Sequence, residues 1–200
     1  MQDIKREEIA MAVNFLKNGV VVFPTDTVYG IALPDEIAVE KLYQIKKRDH
    51  SKKIIALIDD RSRLEEIIDE KSGFLEKITP VLEKFWPELT VIFRAKLDFT
   101  KKFDQLATIV RIPRNQTALD IIRAGGIVLT TSANISEPSI TSLEKLNPQI
   151  REEIDMEISD TSTLTGTPST IILYEDEIRL LREGNISLEE IKKVFDRQDC

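Results

Sequence analysis

A chain of 200 residues with 42% hydrophobic and 32% charged side chains has the makings of one ordinary globular domain, expected to cover residues 1–200, and excludes a disordered polymer. Its net charge of −7 opposes a nucleic-acid backbone as a general partner. A single histidine and a single cysteine leave no material for an internal disulfide or a structural zinc site. No run approaches the ~20 apolar residues that span a bilayer. The start, MQDIKREEIA, is charged and lacks the apolar core of a signal peptide, so a cytoplasmic location and no membrane partner are expected.

Ile9, Ala12, Val13 and Leu16 fall near one face of a helix over 4–17, closed by Asn18-Gly19. Val20–Phe23 is continuously apolar and reads as a buried strand that Pro24 ends, because proline cannot donate to a sheet ladder. A second helix is expected over 36–47, a short strand over 54–58, and helices over 61–69 and 72–85, the last closed by Trp86-Pro87. Strands follow at 89–95 and 107–112, then a helix at 115–123 that Gly125-Gly126 stops before a strand at 127–130. Thr141-x-x-Glu144 resembles a capping box, strands are expected near 154–158, 169–174 and 177–182, and Ser187-x-x-Glu190 caps a final amphipathic helix. Interleaved strands and helices indicate an α/β fold with a mixed sheet covered by helices.

Four segments carry chemistry. Thr25-Asp26-Thr27-Val28-Tyr29-Gly30 packs hydroxyls at the end of a buried strand; it is either a strand-to-loop turn or the lining of a polar pocket. Lys46-Lys47-Arg48 with Lys52 and Lys53 is either a solvated helix end or a field that neutralises phosphates. Thr130-Thr131-Ser132-Ala133-Asn134 is a second hydroxyl-rich strand end, read as a turn or as part of the same crevice. Arg111 alternates onto the face of Ile109, where its guanidinium reaches water from an edge or grips a carboxylate inside a cavity. P-loop and Rossmann fingerprints are absent, and His50, the only imidazole, sits in the charged run KKRDHSKK.

Taken together, PTDTVYG at 24–30, K-x-R at 46–48, FWP at 85–87, VRIP at 110–113, TSANIS at 131–136, PST at 168–170 and LREGNIS at 181–187 resemble the YrdC/Sua5 family, in a short form comprising the catalytic domain. Departures fall at Asp49 (proline in the usual K-x-R-P), Leu57 (a histidine in some longer members), the shortened Trp86-Pro87-Glu88-Leu89-Thr90, and Ser136-Glu137, where a glycine usually follows. They leave K-x-R and S-x-N intact.

The resemblance implies a twisted mixed sheet flanked by helices around a large, positively charged cavity, the YrdC/RibB-like fold. It also implies a nucleotidyltransferase that joins L-threonine, bicarbonate and ATP into L-threonylcarbamoyladenylate, releasing pyrophosphate, for the N6-threonylcarbamoyladenosine modification of tRNA. Carried over by position, Lys46, Arg48, Ser132 and Asn134 are catalytic, and Thr27, Arg111, Ser132 and Ser169 hold threonine. Lys46, Arg48, Lys52, Asn134, Thr141 and Arg182 surround ATP. Magnesium is expected with ATP, bound by phosphate oxygens and not by a dedicated protein metal site. Implied partners are the proteins that transfer the product to tRNA, with direct tRNA or RNA contact as an option. The alternatives are an RNA-binding module without adenylyl transfer and a diverged carbamoyl or adenylyl transferase.

Overall fold

The computed structural model describes residues 2–33, 40, 43–44, 46, 54–68, 74–94, 96, 98–99, 107–135, 140–175 and 177–198. In chain order the elements are α1 (Gln2–Phe15), β1 (Val21–Pro24), β2 (Tyr29–Leu33), β3 (Ile55–Leu57), α2 (Leu64–Ile67), α3 (Phe74–Phe85), β4 (Leu89–Arg94) and β5 (Ala107–Arg111). They continue with α4 (Gln116–Gly125), β6 (Val128–Ser132), α5 (Pro148–Arg151), β7 (Met156–Glu157), β8 (Thr170–Tyr174), β9 (Ile178–Arg182) and α6 (Leu188–Phe195). The expected helix over 36–47 falls mostly outside the described residues; Glu40, Tyr43, Gln44 and Lys46 are helical. Among the described residues no helix is long and apolar enough to cross a membrane.

Two compact units divide the chain, residues 1–59 with 113–167 and residues 60–112 with 168–200. In the first, the strands run in the order β7-β1-β2-β6-β3. β1 and β2 pair antiparallel, β2 and β3 each pair antiparallel with β6, and β7 runs parallel to β1. Ile9, Ala12, Val21, Phe23, Ala118, Ile121, Ile122 and Val128 bury together, so one face of α1 and one face of α4 close over this sheet. Leu57 belongs to that apolar core. Burying a side chain such as Ile121 or Phe23 contributes about 1.5–3 kcal/mol, which makes this patch the main support of the unit.

The second unit orders its strands β5-β4-β8-β9, with β4 antiparallel to β5, parallel to β8, and β8 antiparallel to β9. α3 packs against α6. Tyr174 meets Phe195 edge to face with ring centres 5.6 Å apart. Ser187 caps α6 in the reciprocal way its sequence predicts, its hydroxyl accepting from the Glu190 amide while the Glu190 carboxylate accepts from the Ser187 amide.

Three boundaries differ from expectation for local reasons. β6 runs on through Thr130, Thr131 and Ser132, because the branched threonines suit a strand and Thr130 gives its hydroxyl to the Ile31 carbonyl at 2.9 Å. The expected box at Thr141 shifts by one residue: Ser142 accepts from the Glu144 amide and caps a 3-10 turn over Leu143–Lys145. Residues 61–67 divide into a 3-10 turn, Arg61–Arg63, capped by Asp60, and the short α2.

Candidate functional site

In the first unit, β1 delivers Pro24 to the turn 25–28, whose shape is set by threonine hydroxyls. Thr25 donates its Oγ1 to the Val28 carbonyl at 2.6 Å and accepts from the Thr27 amide at 3.3 Å. Its hydroxyl also lies 3.2 Å from that of Thr27. Both threonines are buried, Thr27 at 3% exposure, so the turn is a built internal feature and not a solvated loop. Gly30 is required where β2 faces β6: a Cβ there would stand 2.8 Å from Thr130 Oγ1.

Lys46 is 2% exposed. Its ammonium donates to the Ser132 carbonyl at 2.6 Å and to Thr131 Oγ1 at 3.4 Å. Placing a cation out of water is costly unless it is held by polar partners, and here the hydroxyl-bearing end of β6 supplies them. Ser132 in turn donates its hydroxyl to Asn134 Oδ1 at 2.6 Å. The structure therefore joins three expected site residues, Lys46, Ser132 and Asn134, into one contact chain. Thr141 is exposed, and its role as a helix cap passes to Ser142. Arg48 and Lys52 lie outside the described residues.

In the second unit, Arg111 is 5% exposed and donates its Nε to the Pro87 carbonyl at 3.0 Å. That burial rules out a guanidinium reaching water. Ser169, also 5% exposed, shares a 2.6 Å hydrogen bond with Thr90 Oγ1. Arg182 donates Nε and Nη2 to the Ser169 carbonyl at 3.1 and 2.8 Å. The loop after β9 closes tightly on this segment: a Cβ on Gly184 would stand 2.4 Å from the Pro168 carbonyl oxygen and 2.7 Å from the Thr170 nitrogen. Thr170 completes the closure, accepting from the Gly184 amide and donating to the Ile186 carbonyl.

One feature of the first unit gave no signal as a motif. Asp160 Oδ2 accepts from Asn115 Nδ2 and Thr117 Oγ1, both at 2.9 Å, and its other oxygen accepts from the Ser162 amide and hydroxyl. Burial alone would raise this carboxyl, but the hydrogen bonds from Ser162, Asn115 and Thr117 outweigh it and hold the group below the ordinary value. The Tyr29 phenol is pushed up by burial and then by the negative charges of Asp160 and Glu157, so it stays neutral. A cavity of about 600 Å³ in the second unit, walled by Arg61, Leu75, Thr79, Leu82 and Trp86 among others, contains none of the expected site residues.

The family model for Sua5/YciO/YrdC proteins, described as telomere recombination, matches residues 14–184. A threonylcarbamoyl-AMP synthase of Bacillus subtilis is 34% identical over 200 residues, 94% of this chain and 56% of that protein. One from Pyrococcus abyssi is 33% identical over 96% of this chain and 58% of its own length, so the chain spans a little over half of each of these two relatives. A Methanocaldococcus jannaschii relative is 31% identical, covering 96% of this chain and 94% of that protein. Among solved structures, Pyrococcus abyssi Sua5 complexed with L-threonine superposes with a TM-score of 0.82 at 31% identity, over 93% of this chain and 56% of that one. Escherichia coli YciO, at 22% identity, shares the fold with a TM-score of 0.79 over 94% of this chain and 93% of its own. Matched over most of its length in family model, sequence and fold, the chain belongs to the Sua5/YciO/YrdC family.

Proposed function

We propose that this protein is a threonylcarbamoyl-AMP synthase, a nucleotidyltransferase acting on L-threonine, bicarbonate and ATP. The observation that carries the reading is the buried ammonium of Lys46 held at the Thr131-Ser132 strand end, in a chain that keeps the family's K-x-R and S-x-N residues. The threonine amine condenses with bicarbonate to a carbamate, losing water. A carbamate oxygen then attacks the α-phosphorus in line, and pyrophosphate leaves. Such a reaction asks for positioning and charge neutralisation, not for a protein nucleophile.

Lys46, Arg48 and Lys52 neutralise the phosphates, with Asn134, Thr141 and Arg182 also taking ATP. Arg111 grips the threonine carboxylate as a planar fork, and Thr27, Ser132 and Ser169 are the other residues assigned to the amino acid. Magnesium arrives on the phosphate oxygens of ATP. The product passes to a protein that transfers threonylcarbamoyl to tRNA, in the cytoplasm where ATP and threonine are present. The net charge of −7 weighs against RNA binding as the main activity.

Pyrophosphate release measured with all three substrates, and with each omitted in turn, tests this. Release is expected only when all three are present, and Arg48→Ala is expected to abolish it while the fold persists. Threonine-independent release, or full activity in the variant, would refute the assignment.

A further inference from the structure

Residues 160–167 connect β7 to Pro168 and bind the turn that carries Thr27. The Thr165 amide donates to the Asp26 carbonyl at 3.1 Å and the Gly166 amide to the Thr27 carbonyl at 2.9 Å. Gly166 makes its bend at φ +74°, a conformation that favours glycine, and an added Cβ there would meet Thr141 Cγ2 at 3.4 Å. Asp160 fixes the other end of this strap. Its carboxylate takes hydrogen bonds from Asn115 and Thr117, both buried at the start of α4, and from Ser162 within the strap.

These bonds close a ring. The Arg114 amide donates to Asp26 Oδ1 at 3.0 Å, the Asp26 carbonyl accepts from Thr165, the strap returns to Asp160, and Asp160 returns to Asn115, next to Arg114. The turn is thus held through its backbone as well as by its own hydroxyls. We propose that Asp160 is a positioning residue for threonine recognition, acting through the 160–167 strap on the backbone of Asp26 and Thr27. The inference rests on the reading that Thr27 contacts the amino acid. Asp160 itself touches no substrate in this scheme: it sets where the Thr25 and Thr27 hydroxyls stand. An oriented hydroxyl-bonding site loses affinity quickly when it loosens, since binding then has to order it.

The test compares wild type, Asp160→Asn and Thr117→Val in calorimetric titrations with L-threonine and separately with MgATP, each protein also being melted. Asp160→Asn keeps the shape but puts an NH₂ group in place of one carboxylate oxygen, against donors from Asn115, Thr117 and Ser162. A rise of roughly tenfold in the threonine dissociation constant is expected, with the MgATP value changed less than about twofold. Thr117→Val, which removes one donor to Asp160 while keeping the side-chain shape, is expected to show a smaller loss of the same threonine-selective kind, and it decides the matter if Asp160→Asn does not fold. Equal losses for both ligands, or threonine binding as tight as in wild type, would overturn the positioning role. Wild-type protein that binds no threonine would instead overturn the functional reading beneath it, and this one with it.

Discussion

Replacing Gly184 by alanine isolates the contact on which the Ser169 segment depends. The new Cβ would stand 2.4 Å from the Pro168 oxygen, 2.7 Å from the Thr170 nitrogen and 2.8 Å from the Ser169 carbonyl carbon. Comfortable carbon contacts begin at about 3.5 Å, so the methyl intrudes by roughly 1 Å. All three neighbours are backbone and cannot swing aside as a side-chain tip would. Overpacking of this kind costs ~1–3 kcal/mol, and the rigid surroundings place Gly184→Ala near the upper end, at about 2–3 kcal/mol. For a chain of this size that is a fall in melting temperature of roughly 4–12 °C. Gly125→Ala is the control: its Cβ would meet Val13 methyls at 3.6 and 3.7 Å, an ordinary contact at a helix end. It is expected to be neutral or, through better helix propensity, up to about 1 kcal/mol more stable. Thermal melts followed by circular dichroism supply the measurement. A Gly184→Ala melt within about 1 °C of wild type would show that the loop has room the distances deny.

Asp160 gives a pH dependence with a definite sign. Its carboxyl lies below the ordinary 3.8 in the folded protein, so its stabilisation is fully present above that value and is lost as pH falls through the folded value. Denaturation profiles from pH 7 down to 3 should therefore show a shallower acid decline for Asp160→Asn than for wild type; parallel declines would contradict the assignment. Amino-acid choice provides a further check, because a site that bonds a hydroxyl rejects its absence more strongly than a missing methyl. Pyrophosphate release should leak to serine before valine, and the reverse order would refute a hydroxyl-bonding threonine site.

What the sequence made legible was whatever neighbours in the chain decide. Pro24 ends β1, Gly126 stops α4 at φ 93°, and the Ser187–Glu190 box forms, each within a few residues of its cause. Alternation placed Arg111 on the face of Ile109, but not whether that face was wet; the Pro87 carbonyl, 24 residues away, settles it. The 160–167 strap left no trace as a motif because its donors are backbone amides, which every residue except proline carries, and its acceptors lie more than 130 residues earlier. Thr141 and Ser142 are chemically alike as caps, so one residue's shift there was beyond local chemistry to decide. The K-x-R residue Lys46 was legible as a cation, whereas its burial depends on β6, 85 residues downstream.

β6 lies between β2 and β3 in the first unit, although the chain makes it more than seventy residues after β3. A nascent chain that has released its first 59 residues therefore holds two strands whose shared neighbour has not been synthesised, and it must make most of the second unit before the gap is filled. Neither unit can be obtained by cutting the chain at one point. Late closure of this kind makes for slow, long-range assembly and exposes apolar edges on the way, so expression of fragments ending before residue 132 should yield aggregates, not a folded half.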